Sequence, residues 1–132
     1  MASHGGFAAG ALDGLQMIVG AQENVGLLSI FSEEDPGKAE EKLSSVVESL
    51  DVSGGLVILA DLLGGTPCNV ACRFAARKEN TWVYSGFNLP VLIELFMNRR
   101  MHPGDAGKHL EKIFQGTFVN VLEFMRQQTD ED

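Results

Sequence analysis

Apolar residues along the chain recur at two spacings, and each spacing predicts a kind of element. From Phe7 to Val19, Ala8, Leu12, Leu15 and Val19 fall at helical intervals, and Gly20 suits the end. Val25 to Phe31 is a compact apolar run that reads as a strand. Asp35-Pro36 offers a cap and a first-turn proline for a helix whose stripe is Ala39, Leu43, Val46, Val47 and Leu50. Glu40, Glu41, Lys42 and Glu48 lie on its wet side. After a turn at Ser53-Gly54-Gly55, Leu56 to Ala60 is continuously apolar, the pattern of a strand buried on both faces. Thr66-Pro67 predicts a cap and first-turn proline for a helix reaching about Lys78, and Thr81 to Ser85 is the next strand. Asn88-Leu89-Pro90 starts another helix, with Val91, Leu92, Leu95 and Phe96 apolar, which His102-Pro103-Gly104 breaks. Asp105 to Gln115 is helical and Gly116 closes it. Thr117 to Val121 reads as a late strand at a sheet edge, because Thr117, Val119 and Val121 are β-branched. Met1 to Ser3 is too short to be a strand on its own.

Strand and helix patterns alternate, so the expected class is α/β, a doubly wound and mainly parallel sheet flanked by helices. Ligand sites in such sheets lie beyond the carboxyl ends of the strands, where strand order reverses. His4, Asp61 and Phe87-Asn88 all follow strand positions, which places them at one rim.

With 132 residues the natural count is one domain, assigned to 1–128, with an acidic tail at 129–132. The net charge of -8 argues against a nucleic-acid surface and suits a basic partner. Cys68 and Cys72, four apart on a helix, read as buried small apolar residues rather than metal ligands. No signal peptide or apolar run of spanning length is evident, which predicts a cytoplasmic protein.

Two stretches carry candidate chemistry. Ser3-His4-Gly5-Gly6-Phe7 sets a histidine and two glycines ahead of a helix, where free N–H groups and the helix dipole favour an anion. Asp61-Leu62-Leu63-Gly64-Gly65-Thr66-Pro67 also reads as strand end, glycine loop and helix start. His4 is the candidate nucleophile, and Asp61 the candidate partner of its other ring nitrogen, fixing the tautomer. Gly5, Gly64, Gly65 and Thr66 are candidates for binding the phosphoryl oxygens. Phe7, Leu63, Phe87 and Asn88 are candidates for the surface where partners dock, against core packing for the first three and helix capping for Asn88. His102 and His109 lack a glycine-rich context and read as surface residues.

These stretches, with Gly20-Ala21-Gln22-Glu23-Asn24-Val25 and Gly86-Phe87-Asn88-Leu89-Pro90, make the chain resemble the enzyme IIA domain of the mannose family of the bacterial sugar phosphotransferase system. The motif order and spacing cover roughly the first three quarters of the chain. The resemblance implies a phosphotransferase component, a transient phosphohistidine carrier. It would accept a phosphoryl group from HPr on His4 and pass it to enzyme IIB, with the membrane components IIC and IID engaged indirectly. It implies no metal and no cofactor, and a homodimer that exchanges a C-terminal antiparallel strand, which the stretch Thr117 to Val121 would supply. The sugar is chosen by the membrane subunits, so mannose, fructose, sorbose and amino sugars all stay open.

The same resemblance implies a full apolar strand ahead of the histidine, where this sequence has Met1-Ala2-Ser3. It therefore predicts a truncated first strand with neighbouring edges unpaired, and reads the start as misassigned or trimmed. The phosphotransfer subunit of a dihydroxyacetone kinase and a regulatory module of the same fold remain alternatives.

Overall fold

A computed structural model describes residues 1–31 and 35–131, the last by its backbone alone. Four parallel strands form one sheet in the order β2-β1-β3-β4: β1 (Ala2–His4), β2 (Leu28–Ile30), β3 (Leu56–Ala60) and β4 (Thr81–Ser85). Among the described residues six helices follow in chain order: α1 (Phe7–Val19), α2 (Pro36–Glu48), α3 (Thr66–Ala75), α4 (Leu89–Met97), α5 (Pro103–Gln115) and α6 (Val121–Glu131). The chain leaves β1 for β2 on one side and returns to β3 on the other. Strand order thus reverses between β1 and β3, the crevice where the rim argument places a site.

The two-sided burial expected of β3 is observed. Leu56 and Ile58 pack with Leu43 and Val47 of α2 and Val70 of α3, whereas Leu59 packs on the other face with Leu15 of α1 and Leu92 of α4. Successive strand side chains point to opposite faces, so a strand between two helical layers has no position to give to a polar residue.

Several expected elements are corrected. Met1–Ser3 was too short to stand as a strand, yet Ala2–His4 pairs along its length with Leu28–Ile30, because neighbouring strands supply the hydrogen bonds that three isolated residues cannot. The strand predicted over Val25 to Phe31 is confined to Leu28–Ile30. Gly65, not Thr66, caps α3, with Thr66 as its first residue, and the helix ends at Ala75. His102-Pro103-Gly104 starts α5 rather than merely ending α4: the His102 Nδ1 accepts the Gly104 N–H at 3.1 Å and Pro103 takes the first turn. Cys68 is buried as expected, but Cys72 is exposed.

Within the single chain the late strand is the largest departure. Thr117 folds back onto Phe114, donating its N–H and its hydroxyl to the Phe114 carbonyl at 3.1 and 2.7 Å. The Asn120 carbonyl accepts the Phe124 N–H at 3.0 Å, and helix α6 follows. Local hydrogen bonds of this kind outweigh β-propensity, which depends on a neighbouring strand to pack against. The expected tail is continuous with α6 through Glu131, and Asp132 lies outside the described residues.

β1 meets β3 at one register pair, Ala2↔Ala60. Between Met1, Val25 and Gly26 on one side and Leu56, Val57 and Ile58 on the other lies a cavity of about 560 Å³. Among the described residues, Leu56 to Leu59 therefore have no ladder partner on that edge.

Candidate phosphoryl-transfer site

His4 ends β1, and Gly5 turns the chain with a left-handed φ of 51°, which glycine adopts without a Cβ penalty. Asp61 follows β3 on the adjacent strand. The Asp61 Oδ2 accepts the His4 backbone N–H at 2.9 Å and faces the His4 Nδ1 at 2.9 Å. A carboxylate only accepts, so the neutral ring carries its proton on Nδ1 and leaves the lone pair on Nε2. His4 is 52% exposed and Asp61 11%, so a sheltered anion orients a reachable nucleophile. Burial pushes the Asp61 carboxyl up, but the hydrogen bonds from the His4 backbone and ring, with the ring's charge, outweigh it and hold the group below the usual aspartate range.

Gly65 lies against the ring on the other side. A Cβ at this position would sit 2.8 Å from the His4 Cε1 and 3.4 Å from Nε2. The φ of -77° is one any residue adopts, so the need for glycine here is close approach rather than backbone freedom. Thr66 and Cys68 open α3, and their N–H groups, with the Thr66 hydroxyl, make no hydrogen bond among the described residues. They are the free donors at the positive end of α3.

Two proposed donors are corrected by this geometry. The Gly65 N–H is taken by the Leu62 carbonyl at 3.1 Å, and the Gly5 N–H by the Ile30 carbonyl at 2.8 Å. Neither is free for a phosphoryl oxygen, and both glycines instead shape the backbone. Gly64, at φ 81°, makes the loop's turn, and Asn69 Nδ2 holds its carbonyl at 3.3 Å.

The partner-docking candidates separate. Phe7 and Leu63 are 56% and 80% exposed, whereas Phe87 is buried, with its ring 5.5 Å from that of Phe7. Asn88 caps α4, accepting the Val91 N–H at 3.1 Å, and donates to the Thr117 hydroxyl at 2.9 Å, so its capping role prevails. His102 is exposed, and His109 is partly buried with its Nε2 2.7 Å from Glu94 Oε1. Sequence reasoning passed over Ser3 and Asn69. A serine next to a histidine and an asparagine inside a helix carry no signal of what they bond until the loops are folded.

The chain matches the family model for the phosphotransferase system fructose IIA component over residues 1–114, and it belongs to that family, the mannose-type enzyme IIA components. It is 36% identical over 101 residues to the mannose-specific EIIAB component of Escherichia coli strain K12, covering 76% of this chain and 31% of that protein. It thus spans about a third of that relative's length. The fructose-specific EIIA component of Bacillus subtilis is 28% identical, covering 96% of this chain and 88% of its own. Among solved structures, the mannose/sorbose-specific IIA subunit of Enterococcus faecalis superposes with a TM-score of 0.80 at 30% identity, over 90% of this chain and 89% of that one. The enzyme IIA component of Streptococcus agalactiae gives 0.81 at 28%, over 92% and 95%.

Proposed function

We propose that the protein is a cytoplasmic phosphocarrier that takes a phosphoryl group from phospho-HPr on His4 Nε2 and passes it to enzyme IIB. The observation that carries this reading is the His4–Asp61 pair, which leaves Nε2 as the open nucleophile beside the N-terminus of α3. In the forward step the Nε2 lone pair forms the bond to phosphorus as the bond to the donor's imidazole nitrogen breaks, and the donor ring keeps that electron pair. The His4 ring gains positive charge while its Nδ1–H stays on Asp61, whose carboxylate offsets the charge. The Thr66 and Cys68 N–H groups and the Thr66 hydroxyl meet the phosphoryl oxygens. Transfer to enzyme IIB is the same step reversed, with no metal or cofactor in either direction.

A rim site suits transfer between proteins. Neither the cavity at the β3 edge nor the one beside β4 includes His4, which stands half exposed beside Phe7 and Leu63. Among the described residues no helix is long and apolar enough to cross a membrane, which is compatible with a carrier that reaches IIC and IID only through IIB. Phe118, Leu122 and Met125 are exposed in the single chain, which supports a homodimer that covers them.

Incubation with enzyme I, HPr and phosphoenolpyruvate, followed by intact mass, tests the reading. One phosphoryl group gained by the wild type and lost in His4→Ala is expected, with transfer onward to enzyme IIB. Gain without onward transfer would favour a regulatory module, and no gain by the folded protein would overturn the carrier role.

A further inference from the structure

Ser3 is the buried polar residue of the described core, with a relative exposure of 0%. Its hydroxyl accepts the Ala8 N–H at 2.7 Å and reaches the Gly5 carbonyl at 3.4 Å. Ala8 is the second residue of α1, and the cap position of that helix is Gly6, which has no side chain to offer. The strand residue Ser3 therefore does from five positions upstream what a capping side chain does locally. Its two hydrogen bonds span the turn that carries His4 and the left-handed Gly5. The remaining fixed points of the turn are the Gly5 N–H on Ile30 and the His4 N–H on Asp61. With four anchors on three consecutive residues and the start of α1, the His4 Cα–Cβ bond has one direction to leave by.

We propose that Ser3 is a positioning residue for His4. Its hydroxyl locks the turn between β1 and α1 so that the ring keeps Nδ1 on Asp61 and Nε2 toward the start of α3. The kinetic consequence rests on the phosphocarrier reading of the site, whereas the effect on the ring does not. A hydroxyl that merely filled its polar niche would change stability and leave the ring where it is.

The test uses the full chain as Ser3→Ala, Ser3→Thr and Ser3→Val, with wild type and His4→Ala as references. Three quantities are read: the melting temperature, the tautomer of the neutral His4 ring from nitrogen-15 shifts in the unphosphorylated protein, and the rate of phosphoryl gain from phospho-HPr. In Ser3→Ala the ring is expected to move from the Nδ1–H tautomer toward a mixture, and the rate to fall about tenfold, the scale of a small misplacement of a reacting group. Ser3→Thr should retain both, while Ser3→Val, which matches threonine in shape without the hydroxyl, should follow Ser3→Ala. A wild-type tautomer and rate in both Ser3→Ala and Ser3→Val would overturn the proposal whatever their melting temperatures. Should Ser3→Ala not fold, the threonine and valine variants make the same comparison, and equal behaviour of the two would count against it. If the wild type itself takes up no phosphoryl group, the carrier reading fails, and the tautomer measurement still decides the role of Ser3.

Discussion

Gly65 and His4 meet so closely that a side chain on the loop residue would displace the ring: its Cβ would lie 2.8 Å from the ring's Cε1. The backbone dihedrals there would accept alanine, and its Cβ would meet the ring first, with the Leu62 carbonyl oxygen next at 3.3 Å, so Gly65→Ala tests mainly the ring contact. The substitution is expected to push the ring off Asp61 and cut the phosphorylation rate by about tenfold to a hundredfold, with a small change in melting temperature. Single-turnover transfer from phospho-HPr beside thermal melting checks both.

Asp61→Asn keeps the shape of the Asp61 side chain and removes its charge. Because one oxygen accepts both the His4 N–H and the ring Nδ1–H, the amide keeps its oxygen in that place and the tautomer with it, but it no longer offsets the positive charge that the ring gains on phosphorylation. A loss of about a hundredfold or more in phosphoryl transfer is expected, by the logic that makes a histidine's orienting carboxylate matter in other enzymes. An unchanged rate would remove Asp61 from the mechanism.

Asp61 also ties stability to pH. Its carboxyl is held below the usual aspartate range in the folded chain, so the folded state binds its proton less readily than the unfolded state. The stability this adds is complete above the ordinary aspartate range and is lost as the pH falls through the lowered folded value. The melting-temperature advantage of wild type over Asp61→Asn should therefore be full near neutral pH and shrink below about pH 4.

The open edge of Leu56 to Leu59 faces a cavity of about 560 Å³ inside the sheet. An extension of about five or six apolar residues ahead of Met1, each advancing a strand by about 3.3 Å, is long enough to run along it. Such an extension is expected to raise the melting temperature, because it would cover apolar side chains and pair backbone groups. A polar extension of equal length should not.

The exposed apolar face of the C-terminal segment offers a test of association. Leu122→Glu with Met125→Glu is expected to shift the protein toward the monomer in sedimentation or light scattering, while leaving the melting of the dilute protein little changed.

Much of this architecture was legible before folding, because burial writes itself into sequence as a period. Leu56 to Ala60 declares a strand covered on both faces, and Ala39, Leu43 and Val47 declare the helix that covers one of them. His4, Asp61 and the glycine loop were legible as a set because polar and glycine residues at the ends of apolar strands stand out against that background. Tertiary structure decided what depends on neighbours distant in sequence. Ala2–His4 is a strand because β2 and β3 lie beside it, and within the single chain Thr117 to Val121 is not one because the Thr117 side chain closes a turn and no strand lies alongside among the described residues. The free donors at the start of α3, the close approach of Gly65 and the buried hydroxyl of Ser3 belong to the same group. Hydrogen-bond partners and contact distances arise only when separate segments are brought together, whereas the hydrophobic pattern acts on each segment alone.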